Sequence, residues 1–190
     1  PSWWIKLKPF LESKYFEDIW NKIKELGVKG KVVYPYSKLL KEQYSDIENT
    51  IFKPFLMDFN DIEVFIFSEL TPSFTQKHTL GGILNNDYYD AVEKSIYGGM
   101  HLGMIKSDNF DYLKSQGVFI LGNTLTAEDK GLYHYPVWEL FMKEVFKIIN
   151  ENHKGLHVIL LGNNTHKYDK LISTTHHYVY KSNMNYDNFD

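Results

Sequence analysis

Short apolar runs set far apart constrain this chain more than any other feature. Glu63–Phe67 (EVFIF), Val118–Leu121 (VFIL) and His157–Leu161 (HVILL) are each of strand length and nearly continuous in apolar character. A strand buried on both faces reads this way, whereas one with a solvated face alternates. A weaker fourth run is Tyr178–Tyr180. The intervals between runs are long enough for crossover helices. The clearest is PVWELFMKEVFKIINEN, where Val137, Leu140, Phe141, Val145, Ile148 and Ile149 trace one stripe at helical spacing. Strands that alternate with helices pair in parallel. The expected fold is therefore α/β: a three-layer α/β/α sandwich about a central, mostly parallel four-stranded sheet.

Ahead of the first run, WWIKLKPFLESKYFEDIWNKIKELGVKG reads as two helical pieces within residues 1–30. Ser13 is placed to cap the second, since its hydroxyl can accept from an N–H of the first turn. Phe16, Ile19, Trp20, Ile23 and Leu26 form its inward stripe, and Gly27 and Gly30 are expected to close it. The Trp3–Trp4 pair reads either as core or as an exposed anchor for a partner. KVVYPYSKLLKEQYSDI then carries a turn at Pro35 and another short helix. No repeat, linker or low-complexity tract divides the 190 residues, so a single domain is expected. Residues 183–190 are polar and expected to fray.

Composition narrows the function classes. Hydrophobic residues make up 43% and aromatics 16%, enough for a sizeable core. The 21 basic residues are all Lys, and the net charge is -3. Without Arg, the usual bidentate readers of phosphate and guanine are missing, and any DNA contact would rely on Lys, backbone N–H groups and small polar side chains. With no Cys, disulfides, thiolate zinc sites and a Cys nucleophile are excluded. No apolar stretch approaches membrane-spanning length, so an intracellular protein with no membrane contact is expected. His176 and His177 are adjacent and would face opposite sides of a strand, so they do not converge on one ion. His101, His134, His153, His157 and His166 lack ligand spacing and read as surface or capping residues. Neither metal nor cofactor is expected.

DIEVFIFSELTPSF, residues 61–74, delivers a buried strand to the sheet's carboxyl edge, where open α/β sheets build ligand sites. From there the order of segments resembles the family-one uracil-DNA glycosylases, over residues 2 to 185. GKVVYPY (Gly30–Tyr36) is similar to the family's G-K-x-I-Y-P-P. DIEVFIF entering SELTPS (Ser68–Ser73) is similar to the strand that enters the water-activating motif G-Q-D-P-Y-H. QKHTLGG (Gln76–Gly82), QGVFILGNTLTA (Gln116–Ala127), WELF (Trp138–Phe141), HVILLG (His157–Gly162) and HHYVYKSNMN (His176–Asn185) follow in family order.

The resemblance implies an ancestral base pocket whose chemical groups have been exchanged. Base excision needs preorganised groups to meet charge developing on base and sugar. Leu70 occupies the register of the water-positioning Asp and can neither orient water nor stabilise a cation. Pro72 stands for the Tyr that rejects thymine, with Ser73 beside it. Gly82 stands for the Phe that stacks on uracil. Gly122 stands for the Asn that reads the base edge, with Asn123 one place along, and Asn183 for the His that stabilises the leaving anion. Glu69 precedes Leu70, and a related branch with G-E-A-P-G uses a Glu after the same strand. Glu69 is thus the candidate catalytic group, the other reading being a solvated Glu at a strand end. Gly162, Asn163 and Lys167 are candidate contacts to the DNA backbone, the other reading being an ordinary strand-to-helix turn. The expected function is a glycosylase-like protein that has lost uracil excision and binds DNA or a protein in replication or repair, of phage or viral origin. The alternatives are an active glycosylase for another base using Glu69, and a protein-only interaction domain.

Overall fold

The structure, a computed structural model, describes residues 2–29, 52–69, 114–126 and 134–183. Leu70, Pro72, Ser73, Gly82, the Gly30–Tyr36 segment, Gln76, His78, His101 and the tail 184–190 lie outside the described residues. Four strands form one sheet: β1 (Val64–Ser68), β2 (Val118–Gly122), β3 (His157–Leu161) and β4 (Tyr178–Ser182). Their spatial order is β2-β1-β3-β4, and every pairing is parallel rather than mostly so. Val64 lies beside Val118 and His157, and His157 beside Tyr178, so the strands end level with one another.

The sequence runs and the strands agree to within a residue or two at each end. Each strand places alternate residues on opposite faces. Phe65, Phe67, Phe119, Leu121, Val158 and Leu160 are buried on one face in the main core. Against it pack α1 (Ser2–Leu11), α2 (Lys14–Val28) and α3 (Tyr135–Asn152). Ile120 and Leu161, on the opposite face, are buried as well. Aromatic rings dominate the helical side: Trp3 meets Phe55, Phe59 and Phe119 at centroid distances of 5.1, 4.7 and 5.0 Å. Phe146 of α3 meets Phe65 at 5.3 Å and Phe67 at 4.9 Å. Such pairs add roughly 0.5–1.5 kcal/mol each beyond the area they bury. Trp3 is therefore core, and Trp4 is packed partly buried against it.

Two sequence expectations fail locally. Gly27 does not end α2; the helix continues to Val28, and Lys29 closes it with its N–H on the carbonyls of Glu25 and Gly27. Gly27 keeps helical geometry, so its permissive backbone is not used for termination. Leu140 does not share the α3 stripe: it is 48% exposed. At about 100° per residue, Trp138, Phe141, Met142, Val145, Phe146, Ile148 and Ile149 define a broad inward arc, and Leu140 falls on its far side. Ser13 does cap α2, its Oγ accepting from the Phe16 N–H at 3.4 Å. Among the described residues no helix is long and apolar enough to cross a membrane.

Candidate functional site

The parallel ladder runs one residue past each strand and so fixes the residues that leave the sheet. Glu69 N–H donates to Leu161 O at 2.7 Å, Asn123 N–H to Ser68 O at 2.7 Å, and Gly162 N–H to Ser182 O at 2.8 Å. Glu69, Asn123 and Gly162 therefore stand side by side at the carboxyl edge, at the ends of β1, β2 and β3. The Glu69 carbonyl also accepts from the Tyr135 hydroxyl at 2.7 Å, which ties the β1 exit to the start of α3.

The Glu69 carboxylate turns toward the chain leaving β3. Its Oε2 accepts the Asn164 backbone N–H at 3.1 Å, and its Oε1 accepts from the Asn164 side-chain amide. Asn164 lies in the first turn of a 3₁₀ helix, Asn163–Leu171, that follows Gly162. An anion belongs there physically, since a helix N-terminus presents unsatisfied N–H groups and a positive dipole end. Gly162 makes the approach possible. Its φ is 97°, and a β-carbon on it would lie 2.5 Å from both the Cβ and Oε2 of Glu69.

Asn123 is fully buried, and its Nδ2 reaches the Asn164 carbonyl at 3.5 Å, while its Oδ1 has no hydrogen-bond partner. The structure thus joins Glu69 and Asn123 through Asn164, which the sequence offers as part of a phosphate-cradling turn, Leu161–Asn164, without singling it out. The signal for it was the Gly-Asn-Asn turn directly after an apolar strand. Asn163 is exposed at the start of the 3₁₀ helix. Lys167 is not gathered to the turn: its Nζ lies 4.0 Å from Glu139 Oε2 and over the Tyr168 ring at 5.2 Å. Glu139 in turn accepts from Lys143 at 2.9 Å, and that bond, with both lysine charges, holds its carboxyl below the ordinary range against the opposing effect of burial. Asn183 is exposed just past β4. Close by, His166 of the 3₁₀ helix places Nε2 3.4 Å from the Ser182 carbonyl, so an imidazole does stand at this edge, donated by another element.

Beneath the edge a buried polar cluster links β2 to α3. Thr126 Oγ1 lies 2.8 Å from His134 Nδ1 and accepts from Trp138 Nε1 at 2.8 Å, while Thr124 Oγ1 donates to the Thr126 carbonyl at 2.8 Å. His134 is therefore buried rather than on the surface, and it stands at the N-cap position of α3 without a capping bond from its side chain. His176 and His177 precede β4 instead of lying in it. Among the described residues no group of three or more His, Asp or Glu side chains is arranged to hold a metal ion.

A wholly parallel four-stranded sheet with this order, a helical layer on its main core face and polar residues gathered at its carboxyl edge defines an α/β protein of the uracil-DNA glycosylase fold. The chain is similar, over 95% of its length, to the uracil-DNA glycosylase of Nitratifractor salsuginis (TM-score 0.51, 13% identity, 87% of that chain). It is similar over 96% of its length to mimivirus uracil-DNA glycosylase (TM-score 0.67, 18% identity, 67% of that chain), a variant of which was solved in complex with UGI. No protein-family model matches the chain. In sequence it is 27% identical to the uracil-DNA glycosylase of Fusobacterium nucleatum over 187 residues, 92% of this chain and 77% of that protein. It is 27% identical to that of Borreliella burgdorferi over 192 residues, 94% of this chain and 79% of that protein. The chain belongs to the uracil-DNA glycosylase superfamily.

Proposed function

We propose that this protein is a superfamily member that has lost ordinary uracil excision and acts inside the cell as a single-domain accessory factor of replication or repair, binding DNA or a protein partner. The engagement of Glu69 carries this reading. A carboxylate that orients water must keep lone pairs aimed at the reacting centre. Both oxygens of Glu69 accept from Asn164, which fixes the carboxylate on the turn after β3. Leu70 beside it, in the register where the resemblance expects the water-positioning Asp, cannot substitute. Asn183 likewise replaces an imidazole with an amide that cannot carry a proton to or from a leaving base at neutral pH. The Lys-only, Arg-free composition fits a phage or viral source. Incubation of the protein with uracil-containing single- and double-stranded DNA is expected to release no uracil above background. Excision at a rate typical of the family overturns the reading.

One observation favours a second reading, a glycosylase for a different or modified base. The Asn123 amide is fully buried beside the Glu69 turn with an unmatched Oδ1, and a buried unmatched acceptor is costly unless a ligand completes it. In that reading Asn123 would meet the base edge and Glu69 would position water. Abasic sites formed on a panel of modified bases by wild type, and lost in Glu69→Gln, would establish it.

A further inference from the structure

We propose that Glu69 is the resident anion of the turn after β3, seated where a phosphate would bind, so that the chain's own carboxylate weakens contact between this turn and a nucleic-acid backbone. The inference rests on the DNA-binding arm of the function proposed above.

The turn has the parts of an anion cradle. The first turn of the 3₁₀ helix presents N–H groups, and Gly162 lacks the β-carbon that would keep an oxyanion away. The Thr165 N–H and hydroxyl are consumed locally by the Gly162 carbonyl, at 3.0 and 2.6 Å. The Asn164 N–H and side-chain amide are aimed outward, and Glu69 takes both. A phosphodiester oxygen needs the same donors, so the two anions compete for one place and repel each other when both are near.

Neighbouring groups hold Glu69 in position. Its backbone is pinned on one side by Leu161 and on the other by the Tyr135 hydroxyl, at 2.7 Å each. Asn164 is held from its far side by the buried Asn123 amide. Among the described residues, the Lys167 ammonium, which could offset a second anion, is paired with Glu139. Glu69 is therefore a structural ligand of the turn and a selector against phosphate. Neutralising it should leave the cradle in place and without the charge that repels a second anion.

The test is Glu69→Gln, which keeps the length and an acceptor oxygen while removing the charge. Amide resonances of Asn163, Asn164 and Thr165 are followed during titration with inorganic phosphate. Saturable shifts are expected in E69Q and none in wild type at the same phosphate concentrations. In parallel, anisotropy of a short fluorescein-labelled duplex should show E69Q binding about fivefold tighter, with a log–log salt slope steeper by about one phosphate contact. Equal phosphate shifts in the two proteins, or shifts in neither, overturn the inference. DNA binding of equal strength and equal salt slope also overturns it, while leaving the DNA-binding function intact. Phosphate shifts confined to E69Q, with no DNA binding by either protein, uphold the anion site alone, overturn its link to a nucleic-acid backbone and remove DNA from the proposed function. Should E69Q fail to fold, as judged by its melting temperature, Glu69→Ala is read by the same criteria.

Discussion

At Gly162 the backbone turns through a φ of 97° with ψ of 148°, a region that only glycine occupies without strain. Any side chain there would also displace the Glu69 carboxylate, because its β-carbon would lie 2.5 Å from Oε2. Gly162→Ala is accordingly expected to destabilise the protein by about 3 kcal/mol, combining backbone strain with a steric clash. Urea denaturation checks it. A loss under about 1 kcal/mol would mean that the turn tolerates a β-carbon and that Glu69 is held loosely. The sequence marks Glu69, Asn123 and Gly162 as strand-end residues, because each stands within two residues of the end of an apolar run. It does not mark Asn164 as their common partner. The hydrogen bonds from Asn164 to Glu69 span 95 positions and exist only once β1 and β3 are neighbours. Local pattern carries no information about such a pair.

At the scale of elements, the exit of β2 and the head of α3 are joined by one hydroxyl. Thr126 Oγ1 accepts from Trp138 Nε1 and lies within hydrogen-bond distance of His134 Nδ1, all three residues being buried. Thr126→Val preserves shape and removes that hydroxyl, stranding a buried indole N–H and weakening the hold on His134. The expected cost is about 2–3 kcal/mol, larger than loss of an exposed bond because the stranded donor cannot reach water. Trp138→Phe in the Thr126→Val background should cost less than the sum of the single changes, since the indole N–H is then no longer stranded. Additive costs in this double-mutant cycle would count against the shared hydroxyl. The runs of β1 to β3 are legible because burial in the sheet demands nearly continuous apolar stretches, whereas the exposed β4 gives only a weak one. The parallel pairing is legible because the intervals accommodate crossovers. The Leu140 position was misread for a definable reason. A helix flanked by core on a wide arc admits several apolar stripes, and spacing alone does not choose among them. The choice is made by the sheet, whose Phe65 and Phe67 meet Phe146.

At the scale of the whole molecule, two histidines near the sheet's amino edge couple stability to pH. His153 follows α3, its ring 4.3 Å from that of Phe59 and its Nε2 2.8 Å from the Phe59 carbonyl, to which it donates as neutral imidazole. His177 precedes β4, is 4% exposed, and neither ring nitrogen has a hydrogen-bond partner. Burial holds both below the ordinary histidine value of 6.5, with the charge of Lys6 adding for His153 and those of His176 and His153 for His177; the Phe59 carbonyl opposes the shift only at His153. Because the folded values are lowered, the unfolded chain binds more protons just below 6.5, and stability rises with pH through that window. The contribution is complete above 6.5 and is lost as pH falls toward the folded-state values. Glu139, also held below its ordinary range, and Asp58, lowered by its hydrogen bonds to Asn60 and Ser2, act only at more acid pH, where carboxylates gain protons. Melts between about pH 5.5 and 7.5 therefore isolate the histidines. The melting temperature should fall on acidification by about 3 °C for each kcal/mol lost in a chain of this size. His177→Phe, which fills the same buried space without a titrating ring, should flatten the slope while leaving the cooperative transition intact. A melting temperature that holds or rises toward pH 5.5 in wild type would show that the buried imidazoles find charge-stabilising partners when protonated, and the neutral assignment of this edge would fall.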